Sequence, residues 1–281
     1  MGDDKLPVRD SLHGSLHDKG PLLGQQVAGS NHYDPGLLFP VPRANARASL
    51  PGREFSGFGE DIWHAYELSW LSAKGMPQIF LGTFCIPADS VNIIESKSFK
   101  LYLHSLNNHV FGSKETACET IVGDLSVTAG AAISLALGGV DDGRYGGVVP
   151  EGDCLDVLDV SVPKVADASL LSAVAGDSLA YTHLMRSLCP VTAQPDWATM
   201  IIETRGTSAE REGLLRYLLA YRNHQEFHEQ CVERVYTDLW KQLNPDYLSV
   251  QALYTRRGGL DICPWRCSEA QPAPQGRMNR Q

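Results

Sequence analysis

No run of about 18 apolar residues occurs in the 281-residue chain, which excludes an ordinary membrane-spanning helix. The nearest approach, Val127 to Val140, is short and rich in Gly and Ala, and reads as buried strand and turn. The start, Met1-Gly2-Asp3-Asp4-Lys5, is acidic with no apolar core behind it, which argues against a secretory signal. Positive charge is in deficit: 24 Lys and Arg stand against 33 Asp and Glu, a net charge of -9, so long-range electrostatics repel polyanions and no direct nucleic-acid partner is expected. No Gly-x-Gly-x-x-Gly follows a strand-like run and there is no P-loop, so a dinucleotide has to bind outside a Rossmann fold. His228-Glu229 opens like the zinc-peptidase motif His-Glu-x-x-His, but Val232 stands where the second ligand belongs. Cys263 and Cys267 have no second pair, and no metal is expected. The 7 cysteines are scattered and odd in number, which fits reduced thiols in the cytoplasm better than a disulfide framework.

What is present is a 43% apolar chain, ample for a core, in an α+β order. Residues 1–50 show no sustained period and read as a loop-rich lead-in rather than a core element. From Asp61 an aromatic-rich run, a turn at Lys74-Gly75-Met76-Pro77 and the run Gln78 to Ile86 predict a β-hairpin. Phe99, Tyr102, Leu103 and Leu106 then change the period to that of a helix over Ser96–Leu106. A second helix is expected over 114–125, with strands over 129–137 and 154–162. Beyond a small-residue stretch near 166–176 the order recurs, with strands at 183–192 and 198–203 and a capping box of Thr207 and Glu210 opening a helix. A further helix starts near His228, and a strand covers 248–255. The recurring β-β-α-α-β-β order predicts two related halves, 51–170 and 171–267, each an antiparallel sheet with helices on one face. Sheets open on the other face are expected to assemble into an oligomer. The tail, 268–281, is expected to be mobile except where it is tied down.

A free cysteine is only a few per cent thiolate at neutral pH, so a nucleophile needs a base or a positive field nearby. Cys85, Cys118, Cys154 and Cys231 read as packing residues. Cys189 differs, since it leaves an apolar segment beside Pro190 with Asp196 in reach across a strand-to-strand turn. Asp196 after Pro195 is equally an ordinary turn residue. Glu229, at a helix start, is either a favourable partner of the helix dipole or an acceptor for adjacent N–H donors such as a guanine-like edge, and Glu95 admits the same two roles. Arg256-Arg257-Gly258-Gly259, with Lys97 and Lys100, is either a solvated basic turn or a phosphate site.

The stretch Ile94-Glu95-Ser96-Lys97-Ser98-Phe99-Lys100-Leu101-Tyr102 resembles the signature of the QueF family, the NADPH-dependent 7-cyano-7-deazaguanine reductases of queuosine biosynthesis. Glu67-Leu68-Ser69-Trp70, Cys189, Gln194-Pro195-Asp196-Trp197, Glu226 to Arg234 and Tyr254 to Asp261 extend the likeness over roughly residues 60–266. It is the long form, with two tandem tunnelling-fold modules. The resemblance implies Cys189 as the nucleophile that forms a thioimide with the nitrile carbon, Asp196 as proton donor and His228 as its aid. It implies Ile94, Glu95, Ser96, Phe227, His228 and Glu229 as substrate-binding residues. Ser96, Lys97, Arg257 and Gly258 match the NADPH contacts, with two NADPH used per turnover and a homodimer as the assembly. Two rival classes compete with it: a metal-dependent cyclohydrolase of the same fold, which needs a His/Cys zinc set, and a binding protein without turnover.

Overall fold

The computed structural model describes residues 32–52, 55–274 and 276–281, so residues 1–31 of the lead-in expected over 1–50 lie outside the described residues. The first half holds β1 (Pro40–Pro42), α1 (Arg43–Arg47), β2 (Phe58–Leu71), β3 (Pro77–Pro87), β4 (Asn92–Ile94), α2 (Ser96–Ser105), α3 (Lys114–Ala129) and β5 (Ser134–Gly138). Short strands β6 (Gly147–Val148), β7 (Asp153–Cys154) and β8 (Ala173–Ala175) follow. The second half holds β9 (Ser178–Leu188), β10 (Pro195–Arg205), β11 (Thr207–Ala209), α4 (Arg211–Leu219), α5 (His228–Leu243), β12 (Tyr247–Tyr254) and β13 (Leu260–Cys267), with β14 (Arg277–Met278) in the tail. None of the described helices is long and apolar enough to cross a membrane.

The halves expected to hold a sheet each share one. Eight strands run in the order β5-β3-β2-β13-β12-β10-β9-β7, antiparallel except for the β7–β9 pair. The seam is β13 against β2, in register from Leu260 with Ala65 to Cys267 with Phe58. Side chains alternate across a strand, so β13 serves both faces. Leu260 and Ile262 enter the core under α2 and α3 with Trp63, Phe84, Phe99 and Leu125, while Cys263, Trp265 and Cys267 pack on the opposite face with Ile62 and Leu253. A separate core in the second half joins Met200 and Val250 of the sheet to Leu215, Val232, Val235 and Leu239 of α4 and α5. Burial of each such large side chain contributes about 1.5–3 kcal/mol.

Several expectations are corrected. α3 continues to Ala129 and stops at Gly130, whose φ of 68° is a left-handed cap that a Cβ would strain, so only Ser134–Gly138 is strand in the expected 129–137. Over 154–162 the strand ends at Cys154 and gives way to a 3-10 turn, Leu155–Val157. Thr207 and Glu210 form no capping box. Thr207 pairs in β11, and Glu210 itself caps α4 by accepting from the N–H groups of Glu212 and Gly213. The described part of the lead-in is a core element after all: Leu37 and Leu38 join the first core, β1 pairs with β4, and Arg43 is buried. The described part of the tail is tied down at several points. Gln271 Nε2 donates to the Tyr247 hydroxyl, the Pro274 carbonyl accepts from Gln251 Nε2, and Ala273, Met278 and Gln281 are buried.

Candidate active site

The β9–β10 turn places the first chemical group. The Cys189 amide donates to the Gln194 carbonyl (2.9 Å), and the Ala193 amide donates back to the Cys189 carbonyl (3.0 Å). Ala193 closes the loop in the left-handed region at φ 55°, an uncommon conformation for a residue with a Cβ. The hairpin register sets Asp196 opposite Ser187, so the acid lies two residues from Cys189 on the facing strand. α5 starts next to this turn. Leu188 exchanges backbone hydrogen bonds with the segment before α5, its N–H donating to the His224 carbonyl and its carbonyl accepting from the Glu226 N–H. His228 and Glu229 therefore enter the first helical turn facing Cys189.

These groups line one narrow slot of about 20 Å³ with Ile94, Glu95, Ser96, Phe227 and Arg257; Trp63 and Ile262 are apolar wall residues. Cys189, Asp196 and Glu229 are each 3% exposed. His228 Nε2 lies 3.2 Å from Asp196 Oδ2, and the His228 ring stacks on Tyr254 with centroids 3.9 Å apart. Burial lowers the His228 pKa to about 4, against a smaller upward pull from Glu229, so the imidazole is neutral near pH 7. Burial also pushes Glu229 up to about 7, with Asp61 adding to the rise. Glu95 is the N-cap of α2: its two carboxylate oxygens accept from the N–H groups of Lys97 and Ser98, both at 2.8 Å. Its pKa is raised by burial, with those backbone donors pulling the other way.

Arg257 pairs with Asp196, donates to the Pro195 carbonyl at 3.1 Å, and reaches the Cys189 thiol. Arg256 instead lies over the Tyr66 ring at 4.6 Å. The slot opens onto a wider cavity of about 220 Å³ that includes Ser96, Lys97, Lys100, Gln194, Arg257 and Gly258. The residues to which the resemblance gives a site role thus all line one or other of these two adjoining spaces.

A buried ionic network behind the slot was not read from the sequence. Arg43 pairs with Asp61 (2.5 Å) and Glu233 (3.5 Å), Arg47 with Glu233 (2.8 Å), and Arg266 with Asp61 (2.8 Å) and Glu233 (2.9 Å). Burial alone raises both acids, but the guanidiniums outweigh it and hold Asp61 and Glu233 below the ordinary carboxylate range. The available signal was Glu233, an acid one turn after Glu229 amid the apolar residues of α5; its partner Arg43 lies in a stretch with no periodicity. Two groups of metal-ligand type occur among the described residues, His64–Asp261–Cys263 and His224–Glu226–Cys231, and neither includes a slot residue. In the first, Asp261 is committed to His64 Nδ1 (2.6 Å) and the Tyr66 hydroxyl (2.5 Å); in the second, Glu226 is paired with Arg234 at 2.7 Å.

Two family models match the chain: "Nitrile reductase, 7-cyano-7-deazaguanine-reductase N-term" over residues 30–137, and "QueF-like protein" over residues 195–273. A protein of Chromohalobacter salexigens is 46% identical over 258 residues, covering 90% of this chain and 93% of that protein. One of Stenotrophomonas maltophilia is 47% identical over 262 residues, covering 90% and 94%, and one of Bordetella pertussis is 45% identical over 268 residues, covering 92% and 97%. All three are named NADPH-dependent 7-cyano-7-deazaguanine reductase. A solved archaeosine synthase QueF-Like chain aligns with 36% of this chain and 97% of its own length, at 20% identity and a TM-score of 0.29, too slight a likeness to bear on the fold. With two family models covering most of its length and relatives nearly half identical over 90% of it, the chain belongs to the NADPH-dependent 7-cyano-7-deazaguanine reductase family.

Proposed function

We propose that this protein reduces the nitrile of 7-cyano-7-deazaguanine to the primary amine, with Cys189 forming a covalent thioimide. The observation that carries the reading is the convergence of Cys189, Asp196, His228, Glu229 and Glu95 on one buried slot beside a basic cavity. Glu229 and Glu95 supply carboxylate acceptors for the donor-rich edge of the base, Phe227 packs on its ring, and Ile94 and Ser96 complete the wall. A nitrile accepts hydride poorly. Addition of Sγ to its carbon, with the thiol proton passing to nitrogen, makes a C=N that reduces readily. Asp196, held by Arg257 and His228, relays that proton. Ser96, Lys97, Arg257 and Gly258 would hold NADPH, which would supply the two hydrides that the reduction needs, while the Asp196–His228 pair would deliver the protons that complete the amine and restore the Cys189 thiol. The residues fit such a ligand: the cavity is basic, and Gly258 at φ 53° lets the backbone approach closely. Burial of the slot shields the C=N from water between hydrides.

The experiment is a balance of NADPH oxidised against amine formed from 7-cyano-7-deazaguanine. A ratio of two is expected; neither oxidation nor amine ends the reading. Pathway and assembly follow as part of the same proposal: queuosine synthesis in the cytoplasm, two tunnelling-fold modules over 51–170 and 171–267, and a homodimer. The two separate helix-side cores support the two modules, and the unpaired cysteines fit a reducing compartment.

The Glu229 carboxyl gives the proposal a pH signature. Its pKa of about 7 means that part of the population is protonated below neutrality, whereas a ligand presenting N–H donors takes the carboxylate. Substrate affinity should therefore rise with pH through about 7 and level off above it, and binding at pH 6 should release a proton. Calorimetry in buffers of different ionisation heat measures this, and Glu229→Gln should flatten it; affinity that falls as pH rises contradicts the assignment. For folding, the raised Glu229 pKa contributes stability that is fully present below the unfolded value of 4.5 and lost as pH climbs through about 7. His228, lowered to about 4, contributes stability present above 6.5 and lost as pH falls toward 4.

A further inference from the structure

The slot is built on one face of the sheet, and the last described residues grip the other face directly behind it. Trp63 of β2, Ile262 of β13 and Asp196 of β10 face the slot, and Tyr254 of β12 backs His228. These strands are neighbours in the sheet, and residues 277–281 touch all four from behind. Arg277 lies over the Tyr66 ring of β2 at 5.2 Å and has its Nε 3.9 Å from Asp261 of β13. Arg280 donates to the His183 carbonyl at 2.6 Å and lies 5.6 Å from the centroid of Trp197, the residue after Asp196. The buried Gln281 amide donates to the Tyr254 carbonyl of β12 (3.2 Å) and to Cys263 Sγ of β13 (3.1 Å).

We propose that residues 277–281 are a positioning strap for the active site: from the far face they fix the spacing of β2, β13, β12 and β10, and through Gln281 and Tyr254 they hold His228 against Asp196. The residues that would bind the base come from both halves, Glu95 from the first and Glu229 from the second, and the strap crosses the seam between those halves. Gln281 is a positioning residue, since it acts through the Tyr254 backbone and touches neither the slot nor its contents. A strand displaced by a fraction of an ångström in this place changes reaction geometry more than it changes total burial.

The proposal rests on the reductase reading, so its test includes a readout that needs no turnover. Protein lacking residues 277–281 and full-length Gln281→Ala are compared with wild type by steady-state kinetics and by NMR titration of the His228 imidazole. His228 is surrounded by Asp196 of β10, Tyr254 of β12, Arg257 of the following loop and Glu229 of its own helix, with Cys189 and Glu95 also in the slot. Deletion should lower kcat about tenfold with KM held within about twofold, because proton relay is misaligned while base binding is kept. His228 should titrate nearer its ordinary value as water gains entry. Synthetic Arg-Met-Asn-Arg-Gln peptide added to the shortened protein should restore both. If deletion prevents folding, Gln281→Ala alone should show the same two changes in smaller degree. Unchanged kcat together with an unchanged His228 titration overturns the strap, as does a loss of activity that merely tracks the unfolded fraction. A wild-type protein with no reductase activity refutes the functional reading and leaves the titration to decide the strap.

Discussion

Cys189→Ala should form no adduct with 7-cyano-7-deazaguanine and should lose turnover by a factor on the order of 10^4 or more, as removal of a covalent nucleophile does elsewhere. The slot keeps Glu229, Glu95, Phe227 and its apolar walls, so substrate affinity should change only a few-fold. Intact-mass measurement after incubation without NADPH isolates the first step: wild type should gain the mass of one substrate, and the variant none. Oxidation of NADPH coupled to amine formation then reports the rest. A variant that still gains the mass places the reactive sulfur elsewhere, and one that keeps more than a few per cent of turnover removes the thioimide from the mechanism. Arg257 gives the sulfur its setting. Its guanidinium reaches both Cys189 and Asp196, so the thiol proton has a paired carboxylate to go to and the thiolate has a cation beside it.

The largest loss of stability is expected from Glu233→Ala. Glu233 binds three guanidiniums, and one of them, Arg266, has a fully buried side chain. Without Glu233, Arg43 and Arg266 would share Asp61 and Arg47 would lose its carboxylate partner, leaving excess positive charge away from water. Breaking a buried pair from one side costs about 3–5 kcal/mol. Urea unfolding should show the midpoint falling at an unchanged slope, with Glu233→Gln intermediate because an acceptor oxygen survives. A change below about 1 kcal/mol, the level of an exposed pair, would mean that the network is hydrated. Since Asp61 and Glu233 have lowered folded pKa values, the stability they contribute is present above the unfolded carboxylate range and lost as pH falls through the folded values, so acid should act on wild type much as the substitution does.

Local order was legible where periodicity was strong. α5 follows from the apolar face of Val232, Val235, Tyr236 and Leu239, and the β9–β10 hairpin from alternation, though β9 spans Ser178–Leu188 rather than 183–192, which puts Cys189 in the turn, with Asp196 near it across the hairpin. That Glu95 meets Glu229 was not legible from spacing, because it depends on β13 pairing with β2 across almost the whole chain. Nothing in the run Cys263-Pro264-Trp265-Arg266-Cys267 announces a central strand, since proline removes a ladder donor. The structure accommodates it: the β12–β13 register stops at Gln251 with Trp265, one residue short of Pro264. Arg43 was hidden for a different reason, as a lone cation in an aperiodic lead-in whose partners Asp61 and Glu233 come from distant elements.

The seam also carries a timing consequence. β2 is complete at Leu71, but the strand that covers its second edge begins at Leu260, so a ribosome must add nearly 190 residues between the two. At common translation speeds that interval is roughly 10–40 s. Throughout it the nascent chain displays an uncovered row of backbone donors and acceptors from Phe58 to Ala65, the stretch at which a second emerging copy could pair wrongly before the native neighbour exists.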